Sequence, residues 1–166
     1  IMDFVITQGE TIEIVVLLGK ADGSFVASSR YQVGYSLFSF QIFQRDLNLD
    51  GNLDLITLND NSKSIHILLG QGNGSFKKLD EVKFSSGPNH LTILDINDDK
   101  FPELFVHLYD NSKVLLLNTK QGSAFIPTVL ADLPSGFLEA GDFDGDGESD
   151  CVIFDYFTSK VSIAWG

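Results

Sequence analysis

Three short loops of the chain carry acidic or amide side chains at alternating positions. They read DLNLDGNLD (46–54), DINDDKFPE (95–103) and DFDGDGESD (142–150), with oxygen-bearing side chains at positions 1, 3, 5 and 9 of each. Side chains at alternate positions converge on one point only where the backbone curls tightly, and glycine at position 6, as at Gly51 and Gly147, favours that turn. The spacing therefore predicts three sites for a hard divalent cation.

The ligand chemistry of these loops favours calcium, because Ca²⁺ is bound by carboxylate and carbonyl oxygens, whereas zinc and copper sites usually include His or Cys. In each loop the backbone carbonyl of position 7 and the carboxylate of position 9 would complete the ligand shell. We expect up to three Ca²⁺ ions, held loop by loop by Asp46, Asn48, Asp50, Asn52 and Asp54, by Asp95, Asn97, Asp99, Phe101 and Glu103, and by Asp142, Asp144, Asp146, Glu148 and Asp150.

The acidic loops have two other interpretations. An EF-hand needs a bidentate Glu at position 12 and flanking helices, but position 12 is Thr57, Val106 and Ile153 in the three loops. A merely solvated acidic turn is the second interpretation, and it is strongest for the second loop, where Lys100 replaces the glycine and adds a positive charge. The third loop has the most acidic ligands, so we expect it to bind calcium most tightly.

The loops belong to an internal repeat of about 47–51 residues. Residues 54–76 align without a gap on residues 3–25, and further copies begin at residues 103 and 150. The approximate units are 3–53, 54–102, 103–149 and a partial unit 150–166.

Each repeat unit has the pattern of β-strands. Ile65, Ile67 and Leu69 alternate with their neighbours, which predicts a strand with one face inward, and turn residues separate such stretches throughout. Roughly 14 strands follow, about four per unit, which is typical of the four-stranded antiparallel blade of a β-propeller. We therefore expect an all-β fold in which residues 1–166 form one partial propeller of about three and a half repeats. That is too few for a closed ring, so we expect a segment of a longer protein, or sheets completed by another copy, with unpaired strand edges.

Composition excludes several classes of function. The 166 residues are 43% hydrophobic, and the net charge of −12 with only 11 Lys and Arg argues against binding nucleic acid or an anionic membrane. No apolar run approaches the ~20 residues of a membrane helix. His66, His90 and His107 have neither metal-ligand spacing nor a neighbouring nucleophile, and Cys151 lies in an apolar run typical of a buried thiol. We expect no enzymatic activity.

The acidic loops, the turn LLGQGNGSF (68–76) and the segment SSGP (85–88) resemble FG-GAP or VCBS-type repeats, as in the propeller of integrin alpha subunits and many secreted repeat proteins. The resemblance covers essentially the whole chain. It implies a calcium loop between the first two strands of each repeat, with the same five ligand positions. It also implies an extracellular module, secreted or on the cell surface, for adhesion or for recognition of a protein or glycan.

Two alternative functions remain open at this point. One is a structural repeat that self-associates through unpaired strand edges, and the other is the scaffold of a carbohydrate-active enzyme whose catalytic residues lie elsewhere. Asn73-Gly74-Ser75 fits a glycosylation sequon of a secreted protein and equally a simple turn.

Overall fold

The computed structural model describes residues 3–8, 11–35, 40–95, 99–109, 114–118, 125–129, 136–155 and 158–164. These residues form strands and turns, with no helix among them and hence none long and apolar enough to cross a membrane. The strands are β1 (Phe4–Gln8), β2 (Thr11–Gly19), β3 (Phe25–Tyr35), β4 (Phe40–Arg45), β5 (Asp54–Asn59), β6 (Ser64–Gly70), β7 (Phe76–Lys78), β8 (Val82–Lys83), β9 (Pro88–Leu94), β10 (Glu103–Leu108), β11 (Val114–Asn118), β12 (Ile126–Val129), β13 (Gly136–Gly141), β14 (Asp150–Asp155) and β15 (Lys160–Ala164).

The strands form four antiparallel sheets in which neighbours in the chain are neighbours in the sheet. Sheet 1 is β1-β2-β3, sheet 2 is β4-β5-β6-β7, sheet 3 is β9-β10-β11-β12 and sheet 4 is β13-β14-β15. The two-residue strand β8 also pairs with β6, and it accounts for the difference from the roughly 14 strands expected. The prediction of an all-β fold built from propeller-like blades is confirmed.

The chain divides into two compact units. The first comprises residues 1–46 and 50–84 and contains sheets 1 and 2, and the second comprises residues 47–49 and 85–166 and contains sheets 3 and 4. In the first unit, Ile14 and Val33 of sheet 1 pack with Leu55 and Leu68 of sheet 2, and all four are 3% exposed or less. Burial of such side chains stabilises each by about 1.5–3 kcal/mol relative to exposure.

Hydrogen bonds also join sheet 1 to sheet 2. The Ser29 hydroxyl donates to the Gly74 carbonyl over 2.8 Å, and the Phe76 backbone N–H donates to the Tyr31 hydroxyl over 2.7 Å. The rings of Tyr31 and Phe76 meet edge to face with centroids 5.9 Å apart. Each pair is separated by 45 residues, close to one repeat, so these contacts link adjacent repeat units.

In the second unit, Phe105 of sheet 3 packs with Leu138 and Ile153 of sheet 4, and Cys151 is half-buried against this cluster. The Thr92 hydroxyl of sheet 3 donates to the Leu138 carbonyl of sheet 4 over 2.6 Å. Burial raises the pKa of the Cys151 thiol, and nearby Asp150 acts in the same direction. Because the thiolate is the reactive form, this environment fits the structural role expected for Cys151.

The expectation that alternation along β6 places one face inward is wrong. Ser64, His66 and Leu68 are as buried as Ile65 and Ile67 between them. The alternation therefore reflects residue type and not exposure. Strand β6 is covered on both faces, and one of these faces includes polar side chains.

Candidate metal sites in the acidic loops

Each acidic loop connects the first strand of a sheet to the second. The loops join β4 to β5, β9 to β10 and β13 to β14. Strands therefore flank all three, whereas helices flank the loop of an EF-hand. The residue before each loop pairs with position 9 across the ladder: Arg45 with Asp54, Leu94 with Glu103, and Gly141 with Asp150. Each loop is therefore a hairpin connection at the end of a sheet, closed by its own position 9 residue.

The first shared feature of the loops is a hydrogen bond from position 6 to position 1. In each loop the backbone N–H of position 6 donates to the position 1 carboxylate. Gly51 donates to Asp46 over 2.8 Å, Lys100 to Asp95 over 2.8 Å, and Gly147 to Asp142 over 3.1 Å. This bond curls the backbone around the position 1 side chain in all three loops.

The second shared feature is a hydrogen bond from position 7 to position 5. In each loop the backbone N–H of position 7 donates to the position 5 carboxylate. Asn52 donates to Asp50 over 2.8 Å, Phe101 to Asp99 over 2.9 Å, and Glu148 to Asp146 over 2.9 Å. The described residues of the second loop thus repeat two hydrogen bonds of the other loops despite their different sequence.

Position 6 has a left-handed backbone in every loop. Its φ is 86° at Gly51, 74° at Lys100 and 95° at Gly147. Glycine adopts this conformation freely, whereas a residue with a β-carbon is strained there by about 1 kcal/mol. The structure therefore places Lys100 in the backbone conformation for which the other two loops use glycine.

The third loop brings its predicted ligands together most clearly. Carboxylate oxygens of Asp142, Asp144 and Asp146 all lie within 4.8 Å of one another, and the side chains are exposed. Calcium binds oxygens at about 2.3–2.6 Å, so two ligands on opposite sides of one ion are about 5 Å apart. The three carboxylates fit around a single Ca²⁺, and within the described part of the chain no other three His, Cys, Asp or Glu side chains are grouped in this way.

Position 9 contributes a buried carboxylate beneath each loop. Asp54, Glu103 and Asp150 are at most 1% exposed. Asp54 accepts a hydrogen bond from the Gly70 backbone over 2.7 Å, and Asp150 accepts one from the Phe143 backbone over 2.8 Å. These bonds fix the carboxylates at the base of the hairpin, and a cation in the loop would further offset the cost of burying their charge.

The remaining predicted ligands are placed less uniformly. Asn48 and Phe101 are half-buried, Glu148 is exposed, and Asn97 lies outside the described residues. The Asn52 side chain packs against Gly72, where a β-carbon would come within 2.6 Å of the Asn52 Oδ1 atom. Asn52 can therefore offer its loop the backbone carbonyl expected at position 7, because its side chain is engaged elsewhere.

One carboxylate oxygen in the second loop has no hydrogen-bond partner among the described residues. The Asp95 Oδ1 atom is buried and has no hydrogen-bond partner among the described residues, while Oδ2 accepts the Lys100 N–H. Buried carboxylate oxygens are normally satisfied, so this atom is suited to contact a cation. Like the first loop, this loop has an amide at position 3, which leaves it one carboxylate short of the group formed by the third loop.

Asp3 is the counterpart of Asp54 in the first repeat. Its Oδ1 atom accepts the Gly19 backbone N–H over 2.9 Å, just as Asp54 accepts that of Gly70 over 2.7 Å. The residues of each pair are 16 positions apart, and the second pair lies 51 positions after the first. The hydrogen bond thus follows the repeat alignment. It also shows that a position 9 acid anchors the hairpin of sheet 1.

Two of the three histidines are buried within the sheets. Burial lowers the pKa of His66 to about 4, with Lys78 acting in the same direction, and burial together with His90 lowers the pKa of His107 to about 4. Both imidazoles are therefore neutral at pH 7. Neither can supply a proton there as a general acid.

Sequence reasoning missed a cavity of about 410 Å³ in the first unit. It lies between sheet 1 and the turn that follows β6, and residues 51–53 of the first acidic loop form part of its wall. The glycine-rich turn 70–74 was the sequence signal. By itself this segment predicts only a turn, because the cavity depends on a neighbouring repeat that packs against it.

Comparison with known proteins identifies similar sequences and folds. Residues 46–106 match the family model described as FG-GAP-like repeat, a stretch that contains the first two acidic loops. A crystal structure of a protein from Lactobacillus plantarum has a similar fold, with a TM-score of 0.51 and 16% identity over 92% of this chain. The chain spans about half of that protein, 50% of its length, and no curated protein matches the chain. At 16% sequence identity, the structural similarity shows only that the two folds are alike.

Proposed function

We propose that this chain, whose residues 46–106 match the FG-GAP-like repeat model, is a non-catalytic calcium-binding module of an extracellular protein. It acts in adhesion or in recognition of a protein or glycan ligand. Calcium binds in the acidic loops and stiffens the hairpins that join the first and second strands of sheets 2, 3 and 4.

The grouping of Asp142, Asp144 and Asp146 is the observation that carries this proposal. Three carboxylates so close together repel one another when no counter-ion is present. A divalent cation bound between them attracts all three and offsets that repulsion. Hydrogen bonds from position 6 to position 1 and from position 7 to position 5 are shared by the described residues of all three loops, which supports extending the proposal to the other two.

Charge and affinity together favour an extracellular setting. Three divalent ions would halve the formal net charge of −12. Extracellular calcium modules have Kd values of about 10⁻⁴–10⁻³ M, so calcium at roughly 1 mM would stabilise the fold by about 0.4–1.4 kcal/mol per site. At the much lower calcium concentration of cytosol the sites would be largely empty.

A non-catalytic role is supported by the state of the titratable side chains. His66 and His107 are buried and neutral at pH 7, and the half-buried Cys151 has a raised pKa. The clustered carboxylates are engaged by backbone N–H groups of their own loops. These groups suit ion binding and stability.

Calorimetric titration with Ca²⁺, alongside melting curves with and without chelator, tests the proposal. The wild type should release or absorb heat on binding and melt at higher temperature in calcium. Asp146→Asn should remove the tightest site, whereas Asp80→Asn, which neutralises an exposed acid outside the loops, should retain it. A wild type with no binding heat and no calcium-dependent shift in melting temperature would refute the calcium role.

The sheet edges favour self-association as a second candidate function. Strands β1 and β15 are edge strands in the described sheets. They expose apolar side chains: Phe4 is 44% exposed, Ile6 42%, Val161 62% and Ile163 46%. Unpaired edges with apolar residues readily pair with another chain. Sedimentation of the wild type should then depend on protein concentration, and Ile163→Lys should abolish that dependence; a wild type that remains monomeric would exclude this role.

A further inference from the structure

The cavity in the first unit has the size and boundaries of a ligand site. Its volume of about 410 Å³ falls within the range of about 300–1,000 Å³ typical of small-molecule sites. Val5, Val16 and Leu18 of sheet 1 form one side, and the first acidic loop and the turn after β6 form the other. Asp3, Gln44 and Gln71 are exposed, so the cavity is open to solvent at this edge.

The walls of this cleft are fixed by close packing. Gly74 lies so near Leu18 that a β-carbon there would come within 2.6 Å of its Cδ2 atom, and Gly72 makes a similar approach to Asn52. The Gly74 carbonyl accepts the Ser29 hydroxyl, which ties the turn to sheet 1. A cleft whose walls are already connected needs little reorganisation to receive a ligand, which favours binding.

The polar groups of the cleft suit an uncharged ligand. Gln44 and Gln71 line the cleft with exposed side chains whose amides can donate and accept hydrogen bonds, and the Gln71 Oε1 atom already accepts the Ser75 hydroxyl over 2.8 Å. Among the described residues, the lining contains no Lys, Arg or His, and its one charged side chain is the carboxylate of Asp3. An anionic ligand would meet that carboxylate with no cationic side chain in this lining to balance it.

The cleft also has an apolar surface. Leu18, Leu55 and Phe76 line the cleft, all three are at least half-buried, and all belong to or pack against the same apolar cluster. Sugars present hydroxyl groups around their edge and C–H groups on their faces, so amides beside an apolar surface match both. A purely apolar ligand would use the apolar surface but make no hydrogen bond to the amides of Gln44 and Gln71.

We propose that the cleft binds a neutral saccharide unit, with Gln44 and Gln71 hydrogen-bonding its hydroxyl groups and Phe76 contacting its apolar face. This inference rests on the recognition role proposed above and narrows it to a ligand class. It does not require an ion in the first loop.

Nuclear magnetic resonance titration with methyl glycosides of neutral hexoses and N-acetylhexosamines tests the inference, with glucuronate and a short neutral peptide as comparison ligands. At least one neutral glycoside should bind in the millimolar range or tighter and shift the backbone signals of residues 70–76. Gln71→Ala and Gln44→Ala should each weaken binding by about three- to tenfold, as expected for one lost hydrogen bond. Gln41→Ala is the matched control, since Gln41 is exposed on the same strand as Gln44 but does not line the cleft, and it should leave binding unchanged.

Failure to bind any neutral glycoside, tighter binding of glucuronate or peptide, or equal binding by the two Gln variants and the wild type would overturn the saccharide site. Calcium titrations on the same samples separate this result from the proposal above. Calcium binding without glycoside binding refutes the cleft inference alone, and glycoside binding without calcium binding refutes the calcium role alone.

Discussion

Lys100 donates its backbone N–H to the Asp95 carboxylate over 2.8 Å while holding a left-handed φ of 74°. The corresponding residues of the other loops are Gly51 and Gly147, which donate the same bond to Asp46 and Asp142. The second loop therefore keeps this hydrogen bond at the expense of backbone strain at Lys100. Its departure from the repeat pattern lies in residue type and charge.

Lys100→Gly should stabilise the protein by about 1 kcal/mol, because glycine adopts this conformation without strain. It should also tighten any calcium bound in the second loop by removing a positive charge. Urea unfolding in chelator measures the first effect, and calorimetry measures the second. Lys100→Ala removes the charge but keeps the strain, so it separates the two effects; a Lys100→Gly variant less stable than wild type would contradict the account.

The glycines at two turns should differ in their tolerance of a side chain. At Gly51 φ is 86° and a β-carbon would meet nothing within 4 Å, so Gly51→Ala should cost only the backbone strain of about 1 kcal/mol. At Gly74 φ is 81° and a β-carbon would also collide with Leu18. Gly74→Ala should therefore cost at least about 2 kcal/mol in urea unfolding, since overpacking adds to strain. Equal losses in the two variants would mean that the turn does not pack on sheet 1 as described.

Acid should destabilise the fold through its buried histidines. Burial lowers the pKa of His66 and His107 to about 4, against a normal value of 6.5, so the unfolded chain takes up protons first as pH falls. Stability from these groups is intact above pH 6.5 and is lost progressively as pH falls toward 4, by roughly 1 kcal/mol per histidine at pH 5.5. Urea unfolding across this range in chelator measures the loss.

His107→Leu provides the matched control for that pH dependence. Leucine is the residue that the second sheet carries at the equivalent position, Leu58. The variant should lose less stability between pH 7 and pH 5.5 than the wild type does, because one buried titrating group has been removed. An unchanged slope would show that His107 does not contribute.

Features that repeat along the chain could be predicted from the sequence. The alignment of Asp3 with Asp54 anticipates their shared hydrogen bonds to Gly19 and Gly70, and the glycine at position 6 anticipates the left-handed backbone of the loops. These features depend on residues close together in sequence. Local spacing therefore contains the information that determines them.

Features that depend on packing between repeats could not be predicted. The alternation along β6 suggested one buried face, but burial of Ser64 and His66 depends on what covers the sheet. The cleft likewise depends on Gly74 meeting Leu18, two residues 56 positions apart. A pattern within a single repeat contains no information about either contact.

A diffraction structure from crystals grown in millimolar calcium tests the central claim most directly. The account predicts one strong density peak in the third loop, with oxygens of Asp142, Asp144 and Asp146 about 2.3–2.6 Å from it and the position 7 carbonyl of Glu148 among the ligands. Those carboxylates pointing into solvent around ordinary water, with no ion between them, would contradict it.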